Sequence, residues 1–103
     1  MGYNGFPRGC NDAQALYEDR HVKLMRTIHA EVNAIITARR DLTGCTLYVS
    51  PLHPCANCAA IIVQAGIKRV VYKASDEVPR WADSFQNAAM MFLEAGVKVD
   101  CVE

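Results

Sequence analysis

Pro54-Cys55-Ala56-Asn57-Cys58 is the stretch from which the rest of the chain can be read. Proline suits the first position of a helix, where its missing N–H costs nothing. The apolar run Ala59-Ala60-Ile61-Ile62-Val63 continues that helix until Gly66 stops it. Cys55 and Cys58 then lie three apart, on one helical face, and the partial positive charge of the helix start favours the thiolate, the form that binds metal. Upstream, Thr46-Leu47-Tyr48-Val49-Ser50 reads as a strand, and Pro51-Leu52-His53 is the short connection that lands on the helix. Strand, short loop and helix place the cysteines at the carboxyl end of a strand, where open α/β sheets bind ligands.

Two thiolates do not complete a tetrahedral site. The third candidate ligand is His29, in His29-Ala30-Glu31, at the start of another apolar-periodic segment. One His and two Cys around Zn²⁺ leave a position open for water, whereas a structural zinc is normally closed by four protein ligands. Zinc lowers the pKa of bound water from about 16 toward about 7, and Glu31 is placed to take and deliver its proton. A structural zinc knuckle is the rival reading. It needs a fourth protein ligand and leaves Glu31 without a role; His53, in the loop entering the helix, reads as a packing group or as support for the ligands.

The 103 residues predict a single domain over 1–103, and 51% hydrophobic residues provide a core for it. Eleven basic and eleven acidic residues give a formal net charge of zero, which argues against nucleic acid as a general partner. No signal peptide and no apolar run long enough to span a bilayer is visible, so the expected location is cytoplasmic. A reducing compartment also keeps the thiols of a five-cysteine chain available for metal.

In chain order, Met1-Gly2-Tyr3-Asn4-Gly5-Phe6-Pro7-Arg8-Gly9 is a glycine- and proline-rich loop, in which Asn4 offers both a donor and an acceptor. A surface turn and a binding loop are equal readings of it. Asn11 to His21 is polar and without period, a loop or irregular helical lead-in. Thr27 is the expected N-cap of a helix running to about Arg40, with Val32, Ile35 and Ile36 as its apolar face and Ala34 and Ala38 allowing close packing. Asp41-Leu42-Thr43-Gly44 is a turn. After Gly66, Lys68-Arg69-Val70-Val71-Tyr72 is a strand, a loop runs from Lys73 to Pro79, and a helix from about Trp81 ends near Ala95 with Gly96 as its stop. Val97 to Val102 alternates as an edge-like strand. Strand, helix and strand imply a right-handed crossover, parallel pairing and strands near 47, 70 and 99 side by side, an α/β sandwich.

His-x-Glu followed by Pro-Cys-x-x-Cys is the pattern of zinc nucleobase deaminases. With Gly2-Tyr3-Asn4-Gly5-Phe6-Pro7-Arg8-Gly9, His29-Ala30-Glu31-Val32-Asn33-Ala34-Ile35, Thr43-Gly44-Cys45-Thr46-Leu47-Tyr48, Pro54 to Ala59 and Ala65-Gly66-Ile67-Lys68-Arg69-Val70, nearly the whole chain resembles the deoxycytidylate (dCMP) deaminases of the zinc-dependent cytidine deaminase superfamily. The Gly-Tyr-Asn-Gly loop points to the deoxycytidylate branch. The resemblance implies a three-layer α/β/α cytidine-deaminase-like sandwich with a mixed sheet and parallel C-terminal strands. It implies His29, Cys55 and Cys58 as Zn²⁺ ligands and Glu31 as proton shuttle. It also implies a substrate-contacting set of Asn4 (on the sugar), Ala30, Ser50, Pro54 and Tyr72, and a phosphate or effector loop of Gly5, Phe6, Pro7 and Arg8 together with Arg26. Lys73 is a further phosphate candidate; each such cation also fits a solvated surface charge.

Family members usually begin with a helix and a first strand before the Gly-Tyr-Asn-Gly loop. Starting at that loop leaves an apolar face and a sheet edge to be covered, which predicts a partner subunit or marginal stability. The expected partners are thus dCMP, the effectors dCTP and dTTP, and further copies of the chain as dimer or hexamer. A second, structural zinc would need more ligands than Cys10 and His21 offer. Three other functions share features of this reading: a deaminase of another nucleoside or base such as cytidine, cytosine or guanine, a polynucleotide deaminase, and a shortened zinc-binding scaffold without turnover.

Overall fold

A computed structural model describes residues 1–11, 13–50, 53–73 and 82–102. The Pro51-Leu52 connection, the loop through Pro79 and the opening of the last helix at Trp81 lie outside them. The chain divides into two compact units, Met1–Ala38 and Arg39–Glu103.

In the first unit, three helices follow an extended start: α1 (Gln14–Glu18), α2 (Arg20–Arg26) and α3 (Ala30–Ala38). Of the stretch 11–21, expected to be a loop or an irregular helical lead-in, α1 takes residues 14–18 and α2 begins at Arg20. The second begins because Asp19 is an N-cap, its carboxylate accepting the His21 and Val22 amides at 3.0 and 3.2 Å. Thr27 is not the N-cap of the next helix. Its backbone N–H closes α2 on the Lys23 carbonyl, and α3 starts only after His29. Arg39 follows α3 with φ 51°, a left-handed stop one residue short of the expected Arg40. The Gly-Tyr-Asn-Gly segment lies along α3. Gly5 and Ile28 exchange two backbone hydrogen bonds, 3.1 and 2.7 Å, and Asn33 donates its side-chain amide to the Tyr3 carbonyl at 2.7 Å. Glycine is required at position 2, since a Cβ there would collide with the Ala34 amide nitrogen and the Ala30 carbonyl.

The second unit is built on three parallel strands in the order β1 (Thr46–Val49), β2 (Arg69–Lys73), β3 (Lys98–Val102), as the strand, helix, strand pattern predicts. The register aligns Leu47, Val70 and Val99 in one row and Val49, Tyr72 and Cys101 in another. Side chains alternate across a strand, so both rows share one face. The connecting helices α4 (Ala56–Gln64) and α5 (Ala82–Ala95) pack on each other. Rings of α5 reach the same face: Phe85 and Phe92 flank His53, which in turn meets Tyr72 edge-on at 4.7 Å. The core of this unit is Cys58, Ala59 and Ile62 from α4, Ala88 and Phe92 from α5, and Ile67, Val70, Val71 and Val97 in and beside the strands.

The turns fall where glycine was expected to place them. Asp41 accepts from the Thr43 amide and hydroxyl at 2.9 and 2.7 Å, and Gly44 and Gly66 follow their turns with φ near 81° and 84°. A Cβ on Gly66 would stand 2.9 Å from Thr43 Oγ1 and 3.2 Å from its Cα. Gly66→Ala is therefore expected to lose about 1–2 kcal/mol through left-handed backbone strain. Phe92→Ala, at a fully buried ring, is expected to lose about 3–5 kcal/mol. Urea unfolding of the two variants checks both figures.

Candidate metal centre

Each of the residues read as chemically active sits at or beside the start of a helix. In the first unit, His29 holds the N-cap position of α3: its carbonyl accepts the first intrahelical bond, from Asn33 N–H at 3.0 Å. Glu31 is half-buried in the first turn of that helix. Ala30, between them, donates its backbone N–H to Asn4 Oδ1 at 2.6 Å. Asn4 is thereby tied to the segment carrying His29 and Glu31, a link that the loop reading alone did not contain.

In the second unit, β1 ends at Val49, with Ser50 exposed after it. Pro54 is fully buried, and Cys55, not Pro54, begins the helix: Cys55 is the N-cap of α4 and Cys58 is buried three residues on. The expected proline at the first helical position thus lies two residues ahead of it, because the cysteine itself takes the cap. The α4 amide of Ala56 donates to Ser84 Oγ at 2.9 Å. Nothing in the sequence around Ser84 marks it. The contact spans 28 residues, and the only signal is a small hydroxyl early in the expected last helix.

His53 Nδ1 lies 2.8 Å from the Pro54 carbonyl, and since a carbonyl can only accept, Nδ1 carries the hydrogen. This, with the ring contacts above, gives His53 the packing role expected of it. Tyr72 is half-buried on β2 beside His53. Of the loop residues, Phe6 stacks on Tyr17 with ring centroids 4.0 Å apart, the Pro7 carbonyl accepts from Cys10 N–H at 3.1 Å, and Arg8 is exposed. Arg26 closes α2 and Lys73 closes β2, both exposed.

Among the described residues, His29, Cys55 and Cys58 could hold a metal ion. One imidazole and two thiolates are donors that suit Zn²⁺.

The fold and these motifs define a zinc-dependent deaminase class. A sequence profile described as the cytidine and deoxycytidylate deaminase zinc-binding region matches residues 1–74, across both units, and the chain belongs to that family. The relatives within it include an uncharacterized deaminase in the luxG 3′ region of Aliivibrio fischeri, 44% identical over 101 residues, covering 96% of this chain and 67% of that protein. The deoxycytidylate deaminase of Pongo abelii is 40% identical over 103 residues, covering 94% of this chain. The chain spans 56% of that relative's length. In fold, the chain is similar to the dCMP deaminase of cyanophage S-TIM5, with TM-score 0.63 for the apo form and 0.60 for the complex with dCMP and dUMP. The identities are 22% and 23%, and the matches cover 98% of this chain and 68% and 70% of that protein. No described helix is long and apolar enough to cross a membrane.

Tyr72 offers a titration handle on this region. A hydrogen bond shared with the Cys101 side chain holds its phenol above the usual 10.0, with partial burial and the charge of that thiol adding to the effect. A raised folded pKa stabilises the fold below the unfolded value and loses that contribution as pH rises through the folded one. Spectrophotometric titration should show a tyrosine ionising late, absent in Tyr72→Phe and earlier in Cys101→Ala. A Cys101→Ala curve identical to the parent would contradict the assignment.

Proposed function

We propose that the protein is a zinc-dependent hydrolytic deaminase that converts dCMP to dUMP and ammonia. The observation that carries this reading is the pairing of a deaminase zinc-binding region over residues 1–74 with a half-buried Glu31 in the first turn of the helix that follows His29. His29, Cys55 and Cys58 are the proposed ligands, and when bound, zinc would lower the pKa of water into the neutral range. A structural zinc has no use for a general base; Glu31 supplies one.

In the proposed reaction Glu31 accepts a proton from the attacking water and delivers it to N3 of the cytosine ring as oxygen bonds to C4. A second transfer through Glu31 reaches the amino nitrogen, the C4–N bond breaks and ammonia departs. The ring keeps the oxygen as the uracil carbonyl, so one water is consumed for each ammonia released. Asn4 is the proposed sugar contact, and Ala30, Ser50, Pro54 and Tyr72 the proposed remainder of the substrate set. Gly5, Phe6, Pro7, Arg8 and Arg26 are proposed to recognise the phosphate or the effectors dCTP and dTTP.

The choice of a nucleotide over a free base rests on the Gly-Tyr-Asn-Gly loop and on relatives named deoxycytidylate deaminase. Assembly into a homo-oligomer belongs to the same reading. It is supported by large apolar side chains left exposed, Met25 at 75% on α2 and Leu93 at 81% on α5. A cytoplasmic location completes the proposal.

Ammonia release from dCMP, deoxycytidine, cytosine and guanine in parallel tests it. Turnover of dCMP should exceed that of deoxycytidine, and Glu31→Gln should lower it by about 10²–10⁴-fold while zinc stays bound. Preference for one of the other three moves the activity to that substrate. No turnover of any by a folded, zinc-loaded chain leaves the zinc-binding scaffold.

A further inference from the structure

His53 is a polar side chain seated among rings. It meets Tyr72 of β2 edge-on at 4.7 Å, and its ring centroid lies 5.6 and 5.9 Å from those of Phe85 and Phe92 on α5. Packing alone asks for nothing polar there, since a phenylalanine ring would take up the same contacts without drawing a nitrogen out of water. The imidazole nitrogens are therefore the feature to explain. One of them, Nδ1, donates to the Pro54 carbonyl at 2.8 Å. That carbonyl belongs to the same peptide unit as the Cys55 nitrogen, and a peptide unit is planar. Holding the oxygen fixes the plane through which the chain enters Cys55, the N-cap of α4 at φ −73° and ψ 171°. Pro54 adds a second restraint on the same path, because it is fully buried and its ring locks its own φ.

We propose that His53 is a positioning residue for the metal ligand Cys55: Tyr72, Phe85 and Phe92 hold its ring, and its Nδ1–H orients the peptide unit that leads into the thiolate residue. This rests on the zinc reading above. The same ring touches Tyr72, so a residue of the proposed substrate set and a metal ligand share one support. Every group in the arrangement lies within the second compact unit. The two parts of the side chain can be separated by substitution. His53→Phe keeps a ring and loses the donor, whereas His53→Asn keeps an N–H donor close to the place of Nδ1 and loses the ring.

The test is zinc affinity of the whole chain, by competition with a chromophoric chelator, alongside urea unfolding of the metal-free chain. His53→Phe should weaken zinc binding about 10–100-fold with a urea midpoint close to that of the parent. His53→Asn should do the reverse, lowering the midpoint and leaving the zinc affinity of the folded chain near the parent value. Phe85→Leu removes a ring beside His53 without touching the donor and should lower the midpoint alone. The proposal is overturned if His53→Phe binds zinc as tightly as the parent, or if His53→Asn or Phe85→Leu weakens zinc as much as His53→Phe does. It is also overturned if long-range proton–nitrogen NMR correlations show no hydrogen on His53 Nδ1. A parent chain whose zinc binding is insensitive to Cys55→Ser would instead overturn the zinc reading itself, and the proposal with it.

Discussion

A helix begins with amides that have no partner inside it, and this constraint shapes both units of the protein. The start of a helix is also where a backbone best supports a thiolate or a developing negative charge, because the aligned peptide dipoles leave it positive. His29 and Cys55 stand at two such starts, and the amide directly after each has an acceptor: Ala30 N–H donates to Asn4 Oδ1 and Ala56 N–H to Ser84 Oγ. The Gly2 to Gly5 segment lies against α3 in one unit, and α5 packs against α4 in the other.

The second unit shows how little sequence such a scaffold requires. Three parallel strands and two crossover helices are joined at glycines that take left-handed backbone, so that each helix stops where the next strand must begin. The core is made of small and branched residues, with Phe92 its largest fully buried side chain, and His53 enters it as a ring among rings. That packing seats Pro54 and the Cys55 cap at the end of the path from β1. The neutral overall charge fits a small-molecule site better than a polyanion groove, since non-specific binding to nucleic acid draws on clustered cations.

Much of this was legible in the sequence because it depends on local chemistry. Glycines at 44, 66 and 96, the alternating strands and the Pro-Cys-x-x-Cys start all report conformations that few other residues would adopt. Helix starts were less legible. Thr27 looks like an N-cap by residue type, yet it closes α2, because Asp19 begins a short helix within a polar segment that carries no period. Pro54 looked like a first helical residue, but Cys55 takes the cap and shifts the helix by two positions. Ser84 was invisible: a cap supplied from 28 residues away leaves no local pattern. Asn4 was noticed for its hydrogen-bonding capacity, and only the fold shows that half of that capacity is turned inward.

The central claim is that one imidazole and two thiolates bind zinc with a fourth position left to solvent or substrate. X-ray absorption at the zinc edge of the metal-loaded chain tests this most directly. The account predicts two sulfurs at about 2.3 Å and two nitrogen or oxygen neighbours at about 2.0–2.1 Å. One sulfur should be lost in Cys58→Ser, and one light neighbour should be exchangeable for an added anion. Four non-exchangeable protein ligands, or a folded chain that takes up no zinc, would contradict it.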